Sequence, residues 1–192
     1  MKRIGWLALT IGVVSVVARA EVESLLDQGN WGAWIRPAVS LTRIESETAE
    51  LGSVGVGVAL NRTFYLGWGY STLLGDVSYG SPQVGELDAF DFWYTGAMLG
   101  YSLRSSKLLH ADFGLLVGAG RITVGLARGG GDKARVLIGE PAVAVLVNVS
   151  PTVELGLELA WRLVDTSGVE GLGAGDLGGV RGGLVLRCTE SR

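Results

Sequence analysis

Between residues 153 and 163 the chain reads Val153-Glu154-Leu155-Gly156-Leu157-Glu158-Leu159-Ala160-Trp161-Arg162-Leu163, and this stretch decides the fold. Its odd positions are large and apolar; its even positions are charged or small. Successive side chains of an extended strand point to opposite faces, so period two marks a strand whose two faces meet unlike surroundings. The pattern recurs in Val54, Val56, Val58 and Leu60 against Ser53, Gly55, Gly57 and Ala59. It returns in Phe64, Leu66, Trp68, Tyr70 and Thr72, and again in Leu109, Ala111, Phe113, Leu115, Val117 and Ala119. Weaker versions cover residues 31–41, 92–103, 137–149 and 180–188, which makes eight strands in all.

The connections alternate in length. Asn61-Arg62, residues 104–107 and Ser150-Pro151 are tight and carry turn-forming residues. Residues 42–50, 75–91, 125–136 and 165–179 are longer and polar or glycine-rich. Short and long links in succession put every long loop at one end of the sheet. The fold class expected is therefore all-β, an eight-stranded antiparallel up-and-down transmembrane β-barrel spanning residues 30–189.

The start of the chain reads as an address. Lys2 and Arg3 precede an apolar stretch that ends in Ala18-Arg19-Ala20, the pattern of a secretory signal with its cleavage site. Its apolar core is shorter than the about 20 residues of a spanning helix. Residues 1–20 are therefore expected to be removed, leaving a short segment 21–29, the barrel and a tail at 190–192. Cleavage takes away three basic residues and leaves 13 against 19 acidic ones, a net charge of −6. That balance argues against nucleic acid as a partner. One cysteine, Cys188, and one histidine, His110, exclude a disulfide framework and a multi-histidine metal site, and no cofactor is called for. Past residue 20 the longest apolar run is residues 142–147, so any membrane crossing falls to strands.

Alternation does not by itself say which face is outside. The polar face holds Arg36, His110, Asp112, Glu140, Glu154, Glu158, Arg162, Arg181 and Arg187, and is otherwise mostly small. A water-facing exterior carries many more charges, lysine prominent among them. Four acids against four arginines suit an enclosed network, because an unpaired buried charge is costly. The apolar face runs without a charge, as hydrocarbon requires. The polar face is therefore expected inside, with Glu154 and Glu158 laddered to Arg162, Arg181 and Arg187, and His110 hydrogen-bonded to a neighbour such as Glu140 or Glu154. Trp31, Tyr70, Phe92, Trp93, Tyr101 and Trp161 are expected to form an interfacial belt.

On signal, strand count, loop alternation and stretches such as residues 54–60, 114–120 and 153–163, the chain resembles the small eight-stranded outer-membrane β-barrels of Gram-negative bacteria, the OmpA/OmpX-like group. The resemblance implies an outer-membrane location and a structural, adhesive or surface-interaction role. Its partners are then membrane lipid and lipopolysaccharide, the barrel assembly machinery and an extracellular ligand at loops 42–50, 75–91, 125–136 and 165–179. Such barrels usually finish on an aromatic residue; here the last strand reads Gly182-Gly183-Leu184-Val185-Leu186-Arg187-Cys188.

Some relatives in that group modify lipid A or phospholipid. A histidine and serine two apart serve the deacylases, and here Asp112 stands where the serine is needed. Glu154 and Glu158 sit about 13 Å apart along one strand face, too far for a paired-carboxylate reaction. No catalytic set is therefore expected. A lipid-modifying enzyme, a soluble lipocalin-like carrier and a narrow channel remain as alternatives. Residues 129–133 lack the spacing of a phosphate loop, and the acids of 75–91 are spread too widely for calcium. Charge alone points Arg128, Lys133 and Arg135, set against Asp132, toward lipopolysaccharide phosphates.

Overall fold

A computed structural model describes residues 30–44, 47–75, 80–81, 85–126, 131–166 and 177–190; the expected signal and the segment 21–29 lie outside the described residues. Strands β1 (Trp31–Ile44), β2 (Glu47–Leu60), β3 (Phe64–Leu73), β4 (Gly85–Leu103), β5 (Leu109–Leu126), β6 (Gly131–Asn148), β7 (Val153–Thr166) and β8 (Gly179–Thr189) form the wall. Each pairs antiparallel with its chain neighbour, and β8 returns to β1 through pairs such as Val39 with Leu184. The sheet closes on itself. A two-residue strand, Gly80–Ser81, adds to the start of β4.

The tight turns gather at one end with both barrel termini. Asn61 and Arg62 hold φ of 53° and 54°, the paired left-handed geometry of a type I′ hairpin, closed by the Thr63 amide donating to the Leu60 carbonyl at 3.0 Å. Asparagine tolerates that region; arginine adopts it at a cost, and its side chain repays the strain below.

Sidedness changes along the barrel axis. From the tight turns through mid-barrel, Leu66, Trp68, Leu99, Phe113, Leu115, Val117, Val143, Leu157 and Leu184 stand exposed on the outside, while charged and small residues face the axis. Among the described residues no charged side chain of the strands faces outward over this band. Toward the other end the arrangement inverts. Arg43, Glu50, Asp91, Arg121, Lys133, Arg135 and Asp165 point out, and Ile44, Leu51, Phe90, Phe92, Ile122, Val136, Ile138 and Val164 pack inside as an apolar core. The first half has the faces of a membrane barrel; the second has those of a barrel in water.

This inversion explains where the expected loops differ from the observed ones. Residues 42–50 are almost all strand, leaving only 45–46 between β1 and β2. Residues 85–91, 125–126 and 131–136 likewise belong to β4, β5 and β6, while β7 runs to Thr166 and β8 begins at Gly179. Polar residues there face water from the outside of continuing strands. The belt needs one correction too: Phe92 is fully buried inside the barrel, tilted against Tyr94 at 5.4 Å. Tyr70, Tyr101 and Trp161 are exposed on the outer wall.

A narrow lumen needs small residues where the wall curves inward. At Gly118 an added Cβ would lie 2.6 Å from the Gly96 Cα on the neighbouring strand, so glycine is required by close approach.

Candidate functional site

The charged interior is stacked in tiers. In the tier nearest the tight turns, Arg187 of β8 donates through Nε to Glu154 and through its terminal nitrogens to Asp112 and to Ser102 Oγ at 3.2 Å. Its guanidinium lies 4.1 Å from the Tyr65 ring centre, a cation over an aromatic face. The Ser102 hydroxyl donates to Asp112. Arg62 reaches in from the β2–β3 turn, donating to Glu154 at 2.7 Å and to Asn148 Oδ1 at 3.3 Å. Two arginines and two carboxylates balance. His110 sits beside them, its Nε2 3.9 Å from Glu154 and 3.5 Å from an Arg187 nitrogen, and its Nδ1 meets no partner among the described residues. His110 is thus hydrogen-bonded to a neighbour as expected, but the partner is Arg187 rather than Glu140 or Glu154.

In the middle tier Arg181 bridges Glu140 at 2.8 Å and Glu158 at 2.9 Å, and donates to Ser40 Oγ at 3.1 Å. Arg36 holds the other Glu158 oxygen at 2.6 Å, and the Tyr94 hydroxyl donates to Glu140 at 2.7 Å. This tier balances as well. The carboxylates therefore alternate with arginines, which offsets much of the cost of enclosing their charges.

Arg162 stands apart at the floor of the apolar core. Fully buried, it donates to the Leu177 carbonyl at 2.7 Å and to Thr42 Oγ1 at 3.3 Å, with its guanidinium 5.2 Å from the Phe92 ring centre. Among the described residues it pairs with no carboxylate, so it is outside the ladder expected of it. The sequence reading leaves six contributors out of the network: Ser40, Arg62, Tyr65, Tyr94, Ser102 and Asn148. The even-position parity of Tyr94 and Ser102 within β4 is the signal that reaches them.

Chemically, the arrangement binds its own side chains. Ser102 Oγ is committed to Asp112 and Arg187, and His110 hydrogen-bonds no serine among the described residues. Both are buried within the wall. No trio of potential metal ligands comes together among the described residues. Arg128 lies outside the described residues.

The architecture recurs in solved structures. Neisserial surface protein A superposes with a TM-score of 0.55 at 16% identity, over 83% of this chain and 96% of that one. The chain has the fold of the small eight-stranded outer-membrane β-barrels. Ail, the attachment invasion locus protein of Yersinia pestis, shares that barrel with a TM-score of 0.50 at 11% identity, over 84% of this chain and 99% of its own. A second Ail structure, in complex with the heparin analogue sucrose octasulfate, gives 0.52 at the same identity. No protein-family model matches the sequence, and no curated protein sequence does.

Proposed function

We propose that this protein is an outer-membrane barrel with a structural or adhesive role, anchored by its apolar band and presenting a rigid water-facing rim at the cell surface. The inversion of polarity along the axis carries this reading. A band apolar outside suits hydrocarbon, and the polar-outside continuation of β1, β2 and β4–β7 suits the aqueous space beyond it. Strands that continue past the membrane give any ligand at residues 42–50, 75–91, 125–136 or 165–179 a stiff platform. Lipid and lipopolysaccharide surround the band, and insertion falls to the barrel assembly machinery. The names of the structural neighbours, a surface protein and an attachment protein, fit the same role. An enzymatic reading finds little support, because its one histidine is enclosed and hydrogen-bonds no hydroxyl among the described residues. A soluble carrier would need the opposite sidedness at mid-barrel.

Cysteine labelling on intact cells tests orientation and location together. In a Cys188→Ser background, Asp165→Cys should react with a membrane-impermeant maleimide on whole cells. Lys107→Cys, at a tight turn, should react only after permeabilisation. Leu157→Cys should stay protected throughout. Labelling of Lys107→Cys on intact cells, or release of the protein by carbonate washing, would contradict the proposal.

A further inference from the structure

One patch of the outer wall is left without an internal explanation. Arg121 of β5 stands directly opposite Arg135 of β6, both exposed and both pointing away from the barrel. One step further from the membrane band, exposed Lys133 pairs with Thr123. Like charges directly opposite on one sheet face repel and weaken the ladder. Among the described residues none of these three cations makes an ion pair. The flanking carboxylates on that face, Asp91 opposite Thr123 and Asp165 opposite Leu137, each lie one diagonal step away in register. An opposed arginine pair with no ion-pair partner among the described residues is a seat for an anion from outside the chain.

The height of this seat identifies the anion's source. Below Arg121 the outward face of β5 is Ala119, Val117, Leu115, Phe113, Ala111 and Leu109, an apolar rise of roughly 25 Å for a tilted strand. Below Arg135, β6 presents Leu137, Gly139, Pro141, Val143, Val145 and Val147. On β5 and β6 the two arginines are thus the first outward charges above the hydrocarbon band. Trp93, paired across the ladder with Arg121, stacks on Tyr70 at 6.2 Å and marks the same level as an interface. Both arginines are exposed on the outer wall at that level, where lipid headgroups lie.

We propose that Arg121, Arg135 and Lys133 form a binding site for the phosphate of an outer-leaflet lipid, lodged against the β5–β6 wall. This rests on the outer-membrane orientation argued above. Two guanidinium forks side by side match phosphate oxygens bidentately, and bound phosphate turns their repulsion into a shared attraction. The site fixes one lipid at one face of the barrel.

Native mass spectrometry of the detergent-released barrel tests this, with bis-phosphorylated lipid A and the same lipid without phosphates as probes. The wild type should retain the phosphorylated lipid and not the dephosphorylated one. Arg121→Gln with Arg135→Gln should bind it about tenfold more weakly, while Arg104→Gln with Lys107→Gln, at the tight turns, changes nothing. Replacing both arginines by lysine should restore part of the binding. Unchanged retention by the glutamine variant overturns the site, as does equal retention of the dephosphorylated lipid. Displacement of lipid A by millimolar inorganic phosphate would reassign the seat to a free anion, and binding of a heparin oligosaccharide in place of lipid would reassign it to a soluble polyanion; either outcome overturns the proposal. Heat-shifted gel mobility, measured on each sample, reports the barrel separately. Its loss in the wild type would count against the membrane reading, whereas its retention beside unchanged lipid binding counts against the site alone.

Discussion

Arg62, at the tip of the β2–β3 turn, donates to Glu154 on β7 at 2.7 Å, tying together two points of the wall 92 residues apart in sequence. The same guanidinium reaches Asn148 and the Pro151 carbonyl at the β6–β7 turn. The left-handed backbone at Arg62 aims the side chain across the barrel mouth. Glu154 is fully buried and also serves Arg187, so the two partners of this pair differ in what their loss exposes.

Removing Glu154 takes the carboxylate from Arg62 and leaves the buried Arg187 only Asp112, so the tier holds two cations against one anion. Glu154→Ala is expected to cost about 3 kcal/mol, as removing one partner of a buried ion pair does. Arg62→Ala should cost less, about 1 kcal/mol, because water replaces a guanidinium at the mouth. Urea unfolding of the barrel in detergent micelles, followed by gel mobility with and without heating, measures both.

The middle tier gives a sharper version. Glu158→Ala should destabilise by about 3 kcal/mol, since Arg36 loses its carboxylate and Arg181 keeps only Glu140. Pairing it with Arg36→Met should recover part of that loss. A Glu158→Ala protein with wild-type heat resistance would remove the enclosed network from the account.

Much of this interior is legible in the sequence because parity carries it. Arg36, Glu158, Arg162 and Arg181 fall on the small-residue parity of strands whose other face is Leu or Val, and contrast between faces is what period two reports. Arg62 escapes because a turn has no parity and its partner lies on a distant strand. Phe92 escapes for another reason. Around it, Phe90, Phe92 and Tyr94 face inward while Asp91, Trp93 and Thr95 face outward, so aromatics occupy both sides and the contrast vanishes. The same inversion disguises the outer ends of the strands as polar loops. Periodicity persists there, but its apolar partner is now the lumen.

Phe92 and Phe113 have opposite fates under truncation. Phe92→Ala opens a cavity in a packed core and should cost about 3 kcal/mol. Phe113 is half exposed on the outer wall, where lipid fills the space it leaves, so Phe113→Ala should cost about 1 kcal/mol or less. Equal losses for the two would contradict the assigned faces.

Close approach makes Gly118 intolerant. Gly118→Val should destabilise by about 2 kcal/mol through displacement of β4, whereas Gly139→Val, with open space around its missing Cβ, should stay near neutral. The same unfolding measurement separates them.

Among the described residues, two charged tiers, Arg162 and the apolar core occupy the lumen and leave only water-sized cavities beside Arg36 and Glu158. Planar-bilayer recording of the wild-type barrel is expected to show no steady single-channel steps; regular steps would revive the conduction alternative.

Sidedness at mid-barrel underlies everything else, and spin labels read it most directly. Labels placed singly at Val56, Leu115 and Leu157 in reconstituted bilayers should relax strongly with oxygen, which concentrates in hydrocarbon, and weakly with a water-soluble nickel complex. Shielding of these three positions from oxygen, or preferential relaxation by the nickel complex, would contradict the account.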